Sequence, residues 1–428
     1  MTTINPFAPP EAPLGGADER LAATRRRVIT AACLLAIVVY IHRVGFAAAS
    51  IAFRGPLGLD DRDLGDLMAA FMLGYGLFEM PWGMIADRFG VRKSLAWVVL
   101  GSSVLTASVA LVGLIPLRYG LVMPVLLVLR FLFGGFQAGT FPSISRLVTD
   151  WTATTQRGRA QGTIWMSSRL GGALAPLLMY GLVRGLGDWK LPLVLSAVIG
   201  AVWCGWFWSW YRRQAPAPRV AAGPGREWAE WKRLLTSPSA LALCLTYGCL
   251  GFSGNFFLTL LPTYLSNHRG LGSATVGLLT SLPFVLGMAS CLGGGVLSDL
   301  IIKRTGRTSG RRVVGIAGMA LACGAAVAVP WASGVVPLAV LLAVVFAGND
   351  LAMAPAWAAA ADIDPRKAGA LSGAMNMAAN LSAAIETRTI GRLLDAHDGT
   401  TPFLLLGGSY LIGALAWIAV VPPRSAET

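Results

Sequence analysis

Charge is scarce in this sequence: of 428 residues only 13% are Asp, Glu, Lys or Arg, and there are 3 histidines and 6 cysteines. No polar stretch is long enough to form a soluble domain. No Gly-rich phosphate loop, no nucleophile beside a base and no metal-ligand spacing occurs, so an enzyme is the least favoured class and no cofactor is implied. The cysteines, Cys33, Cys204, Cys244, Cys249, Cys291 and Cys323, all fall in apolar runs without a pairing pattern, and read as small packing residues. The formal charge of +14 comes without an aromatic-interleaved basic domain, which argues against a nucleic-acid partner.

What is abundant is apolar surface. Hydrophobic residues make up 55% of the chain and mean hydropathy is +0.63. Apolar segments recur at 28–53, 64–86, 94–116, 121–143, 160–182, 191–211, 240–264, 273–298, 313–331, 336–358, 368–390 and 402–422. Each can cross a hydrocarbon core of about 30 Å as a helix, so the expected fold is an all-α membrane protein with twelve transmembrane helices and a lipid bilayer as its surroundings. If the N-terminus is cytoplasmic, most of the 35 Lys and Arg residues fall on the cytoplasmic side, as the positive-inside bias requires. The clusters Arg25 to Arg27, Arg212/Arg213, Lys232/Arg233 and Lys303 to Arg312 are then topogenic. The expectation is a multi-pass protein of the cytoplasmic membrane, monomeric, with both termini inside.

The chain also repeats itself. "GMIADRFGVRK" follows the second span and "GVLSDLIIKR" the eighth, placing Gly83/Asp87 and Gly295/Asp299 at a 212-residue offset; Pro142 and Pro355 echo it. Two pseudo-symmetric six-helix bundles follow, 28–211 and 240–422, with a cytoplasmic tail 1–27, a linker 212–239 and a tail 423–428. Duplication of this kind points to alternating access about a midplane site. Asp87 and Asp299, with Gly83, Gly295 and the basic Arg88 and Arg92, are candidates for a conformational latch, in which each carboxylate binds a neighbouring helix end. The plainer alternative is that these charges only set topology.

Charged residues inside a membrane span are costly and mark function or pairing. Arg43 and Arg130 lie halfway along spans one and four, and a guanidinium can hold a carboxylate through two parallel bonds. Arg130, Gly134, Gln137 and Phe141 recur at helical spacing, which predicts one cavity-facing stripe. Alternatively both arginines are neutralised by protein carboxylates. Arg169 and Asp350 stand at equal depth and are candidates for an inter-bundle pair, either a gate or a static pair. Glu79 and Asp350 are candidates for carrying a coupling proton, ahead of Glu386, which sits in a local cluster with Thr387 and Arg388. His42, beside Arg43, is expected to act as a neutral hydrogen-bonding group. Tyr40, Tyr75, Asn255, Tyr264, Asn376 and Asn380 are candidate cavity residues suited to a hydroxylated acid.

The loop "GMIADRFGVRK" resembles the Gly-x-x-x-Asp-Arg-x-Gly-Arg-Lys motif of the major facilitator superfamily. "RFLFGGFQAGTFPSISRLVTDW", "LPTYL", "SLPFVLG" and "DIDPRKAGALSGAMNMAANL" are similar to its anion:cation symporter branch, which moves sugar acids and organic anions. The resemblance runs from about residue 35 to 415. It implies a secondary transporter for a small anionic substrate with proton or sodium coupling, and favours Asn376 and Asn380 as cavity residues. In that branch "YIHRVGFAAAS" aligns with a Tyr-x-Asp-Arg-x-Asn pattern. Arg43 matches the substrate-binding arginine, but His42 stands where the aspartate would be. Arg130 matches the arginine of span four while Gln137 replaces its partner glutamate, and Glu79 stands where glutamine is usual. The resemblance therefore supports an anionic substrate better than it supports the usual proton coupling. An exchanger or exporter without a proton site, or a transport-inactive sensor, stays open.

Overall fold

The computed structural model describes residues 15–211, 224–305 and 307–421. The tails 1–14 and 422–428, the Arg212/Arg213 cluster and the first part of the linker lie outside them.

Twelve long helices follow one another: α1 Gly15–Phe53, α2 Asp61–Phe89, α3 Val91–Val112, α4 Val122–Trp151, α5 Thr154–Leu186, α6 Lys190–Tyr211, α7 Pro238–Thr259, α8 Ser273–Thr305, α9 Arg307–Ala328, α10 Val335–Ile363, α11 Ala368–Asp395 and α12 Thr401–Ala416. A short helix, Pro224–Leu235, occupies the linker. Helix starts are set by local chemistry. Asp60 and Asp63 form a reciprocal capping box at α2, with bonds of 2.7 and 3.0 Å, and Ser237 caps α7 with Pro238 in its first turn, satisfying amides that no helical carbonyl can reach. At α12 the Asp398 carboxylate accepts from the amides of Thr400 and Thr401, both at 2.9 Å. Hydrogen bonding from Thr401 holds that carboxyl below the usual range.

Nine helices among the described residues are long and apolar enough to cross a membrane on length and composition. The other three, α2, α5 and α11, run for 29, 33 and 28 residues, long enough to cross but more polar. They are the helices that carry the first six helices onto the last six: α2 packs on α11, and α5 on α8 and α10. Glu79 on α2, Gln161 and Ser168 on α5, and Asn376 and Glu386 on α11 are buried against protein, where such polar groups find partners.

Several helices overrun the expected spans. α1 begins at Gly15, inside the expected tail; α4 continues past a local irregularity at Ala138 and Gly139 to Trp151, and α5 starts at Thr154. The extra turns carry Arg146, Asp150 and Arg157, whose contacts are described below. Because consecutive helices alternate in direction, both helix sets share one end, here termed the terminal end, where α1 begins and α12 finishes.

Candidate functional site

A cavity of about 140 Å³ lies between the halves near mid-membrane, walled by Tyr40 and Arg43 of α1, Tyr75 of α2, Arg169 of α5, Tyr247 and Asn255 of α7, Asn349 of α10, and Asn376 and Asn380 of α11. Its volume restricts it to a small ligand. Toward the terminal end an aromatic floor closes it. Phe141 stacks on Trp165 at 4.4 Å between centroids, Trp357 sits 5.3 Å from Trp165, and the Trp357 indole N–H donates to the Tyr247 hydroxyl at 2.6 Å. Toward the other end the wall reaches Leu258, which is 58% exposed.

Arg43 is the cation of the cavity without a carboxylate partner among the described residues. Its guanidinium lies over the rings of Phe71 and Tyr75, at 4.8 and 4.5 Å, and donates to the Met72 sulfur at 3.9 Å. Ring faces hold a cation in place without cancelling its charge. Arg169 is different: it forms two bonds to Asp350, Nη2 to Oδ1 at 3.0 Å and Nε to Oδ2 at 3.3 Å, and Asn349 donates to the same carboxylate at 3.2 Å. The structure thus brings Arg169 and Asp350 together across the halves.

Glu79 is fully buried. It receives hydrogen bonds from the amides of Asn376 and, at 2.9 Å, Asn380. Both asparagines line the cavity, so a carboxylate of α2 stands one residue behind the cavity wall of α11, held by amides and by no cation in contact.

Four expected cavity residues lie elsewhere. His42 points to α6, with Nε2 2.7 Å from the Ser196 carbonyl; adjacent helix positions diverge by about 100°, so Arg43 and His42 cannot both face the cavity. Gln137 donates to the Val39 carbonyl at 3.1 Å and is fully buried. Arg130 is enclosed by Phe46, Phe71 and Phe133, at 4.0, 4.8 and 5.1 Å, with its Nε unpartnered. The α4 stripe faces α1 and α2, and Phe141 is its one member that reaches the cavity. Tyr264 packs against Phe256 and Phe403 and accepts from Arg269 instead. Glu386 is also buried, accepting from Asn255 at 2.7 Å.

At the terminal end the two echoed aspartates do the same thing in opposite directions. Asp87, at the end of α2, accepts from the amides of Gly369 and Ala370 in the first turn of α11, at 3.1 and 2.8 Å. Asp299, at the end of α8, accepts from those of Gly158 and Arg159 near the start of α5, at 3.1 and 2.7 Å. Each carboxylate meets the positive end of a helix of the other half. Gly83 and Gly295 make the approach possible: a Cβ on either would run into a backbone carbonyl of the facing helix, Gly369 or Gly158. Arg92 donates to the Trp208 carbonyl at 2.9 Å within its own half, and Arg88 lies over Phe89. Two further cations, Arg146 and Arg311, stand at these contacts. Arg146 binds Asp87 at 3.4 Å, Asp150 at 3.0 Å and the carbonyls of Pro365 and Arg366 at 3.1 and 2.6 Å. Arg311 binds Asp299 at 2.6 Å, Asp362 at 3.1 Å and the Thr154 carbonyl at 2.7 Å, and Arg157 adds a 2.6 Å bridge to Asp362. Apart from Asp150, four residues from Arg146, and Asp299, twelve from Arg311, these partners stand far apart in the chain, where sequence spacing carries no signal for them.

Residues 29–386 match the model of the Major Facilitator Superfamily. A "Probable sulfoacetate transporter SauU" of Cupriavidus necator is 30% identical, covering 93% of this chain and 94% of its own length. The "Hexuronate transporter" of Bacillus subtilis is 29% identical over 91% and 93%. Among solved structures, a bacterial homologue of the iron transporter ferroportin in its outward-facing state superposes with a TM-score of 0.75 at 14% identity, covering 91% of this chain and 98% of that one. FucP in the outward conformation gives 0.72 at 14%, over 92% and 98%. At such identity these two show the fold alone.

Proposed function

This chain belongs to the Major Facilitator Superfamily, and from that premise we propose that it carries a small organic anion, a sugar acid or similar carboxylate or sulfonate, across the cytoplasmic membrane by alternating access, with both termini inside. Transport is the family's business; the anion is read from the cavity. The observation that carries it is Arg43: a cavity cation held by ring faces and left unneutralised, while Arg169 is already paired with Asp350. An entering carboxylate or sulfonate completes Arg43, and Tyr40, Asn255 and Asn380 offer partners for hydroxyls. Arg130 supports Arg43 from behind through the shared Phe71 ring, adding positive potential without touching the ligand.

The terminal-end contacts of Asp87 and Asp299 would hold this end shut while the cavity opens to the other side. For the opposite state they must separate, so they act as a latch, with Arg146, Arg157 and Arg311 as its cations. Glu79 is the coupling group in this reading: a buried carboxylate in no ion pair among the described residues, bridging the halves, whose negative charge a proton would neutralise.

The test is uptake and counterflow of labelled sulfoacetate, glucuronate, galactonate and lactate in proteoliposomes, with and without an imposed pH gradient. One acid should exchange, and Arg43→Ala should lower its affinity by on the order of 100-fold, the loss of one charge-assisted bidentate contact, in a protein that still folds. Exchange of no acid sinks the anion reading, and wild-type affinity in the variant sinks the role of Arg43. Counterflow that ignores the pH gradient replaces symport with exchange, as the missing carboxylates at positions 42 and 137 would favour.

A further inference from the structure

A second site lies far from the cavity. Where α1 and α5 meet at the terminal end there is a groove of about 500 Å³, walled by Arg25 and Arg26 of α1 and Arg159 of α5, with Thr30 and Gln156 beside them and Ile29 on its apolar side. No acidic residue lines it. Among the described residues none of the three arginines has a carboxylate ion pair, and the Arg25 Nε is sealed from solvent without an acceptor. The nearby Asp299 is already committed: its oxygens take the amides of Gly158 and Arg159 and the Arg311 guanidinium.

The neighbouring cation shows that this is not the fate of every basic residue at this end. Arg27 is occupied by the rings of Trp210 and Trp206, at 4.6 and 6.0 Å. Arg25, Arg26 and Arg159 converge on a common space instead.

We propose that this groove binds an anionic phosphate group, free or as an ester, with the three guanidiniums around its oxyanions. Three fork-shaped donors match a group with several acceptor oxygens better than a single carboxylate. Hydroxyl and amide donors from Thr30 and Gln156 serve the remaining oxygens, and the Ile29 side suits the apolar continuation of the ester. The level in the membrane fits as well, because the groove opens where the expected first span begins, at the height of lipid headgroups. Two sources share this chemistry, a lipid headgroup and a free phosphate. Both walls belong to the first six helices, so the ligand travels with that half and the site does not depend on which end of the transporter is open.

The experiment is native mass spectrometry of the intact purified protein, titrated separately with short-chain phosphatidylglycerol, phosphatidylcholine and inorganic phosphate. The expected result is retention of one anionic ligand by the wild type, and affinity lower by on the order of 100-fold in the triple variant Arg25→Gln, Arg26→Gln, Arg159→Gln, given the attraction each cation contributes near the surface. Stronger binding of phosphatidylglycerol than of phosphate assigns the site to a lipid headgroup, and equal binding assigns it to free phosphate. A control variant, Lys303→Gln with Arg304→Gln, neutralises exposed charge at the same end and should bind as the wild type does. Unchanged binding in the triple variant, or equal loss in the control, overturns the proposal, and a thermal unfolding curve confirms that each variant is folded.

Discussion

Two buried carboxylates join the halves beside the cavity, and the two meetings are built from opposite chemistry. Where α5 faces α10, Arg169 and Asp350 neutralise each other through two bonds, with Asn349 adding a third to the carboxylate. Where α2 faces α11, Glu79 is held across the halves by the side-chain amides of Asn376 and Asn380, with no ion pair among the described residues. An ion pair is self-sufficient, because each member carries its own countercharge into the low dielectric. A carboxylate among amides is not, and its charge state is free to change with its surroundings. The comparison separates a fastening from a candidate switch, although both are buried carboxylates bridging the same two halves. It also removes Asp350 from the front rank of coupling candidates and leaves Glu79 there.

The comparison breaks most visibly at the ion pair. Asp350→Ala would strand the Arg169 guanidinium, and unfolding of the detergent-solubilised protein should show a loss of about 3–5 kcal/mol. Replacing both residues by leucine should recover most of it, since a well-packed apolar pair often matches a buried salt bridge. A single variant that unfolds like the wild type would show that the pair fastens nothing.

The terminal end offers the next contrast. Arg311 sits between two aspartates at 2.6 and 3.1 Å, whereas Arg146 holds Asp150, on its own helix, at 3.0 Å and reaches the echoed Asp87 only at 3.4 Å. Arg311→Met should therefore cost about 3 kcal/mol and Arg146→Met about 1.5 kcal/mol, measured by the same unfolding. In labelled pairs spanning α5 and α8, or α2 and α11, the first variant should also widen its gap more than the second. Equal effects would mean that the echoed aspartates close their two sides symmetrically despite their unequal cations.

The smallest expected change in stability is at Glu79. Glu79→Gln keeps the size and one acceptor oxygen, so unfolding should move by about 1 kcal/mol or less. Its consequence is functional: the response of substrate uptake to an imposed pH gradient should flatten, while Asp350→Asn in the same assay should lower the rate and leave that response in place. If the pH response survives in Glu79→Gln, the two meetings are alike after all and the switch lies elsewhere.

Much of this was legible along the chain. The apolar runs gave nearly every helix, and the Gly-x-x-x-Asp echo located both aspartates that join the halves at the terminal end, because a duplicated contact leaves a duplicated spacing. Equal depth was enough to pair Arg169 with Asp350. Direction was the weak point. His42 and Gln137 are polar groups inside spans, as an aqueous cavity would require, yet they bond to backbone carbonyls of Ser196 and Val39 within the first half. Hydropathy cannot separate a polar residue that faces water from one that satisfies a neighbouring helix. Arg146, 59 residues away from Asp87, also reaches that carboxylate, a contact that closeness in sequence does not announce.

The sequence by itself determined that the chain spans a membrane as a duplicated bundle of helices and that a few charges inside it must matter, because both follow from local composition and spacing. Only the tertiary structure decided which of those charges remain unpaired. A charge is neutralised by whatever lies within a few ångströms of it, and across two packed halves that neighbour can be hundreds of residues away. Arg169 finds Asp350 at a separation of 181 residues, and Arg43, on the same cavity wall, finds aromatic rings and a methionine sulfur.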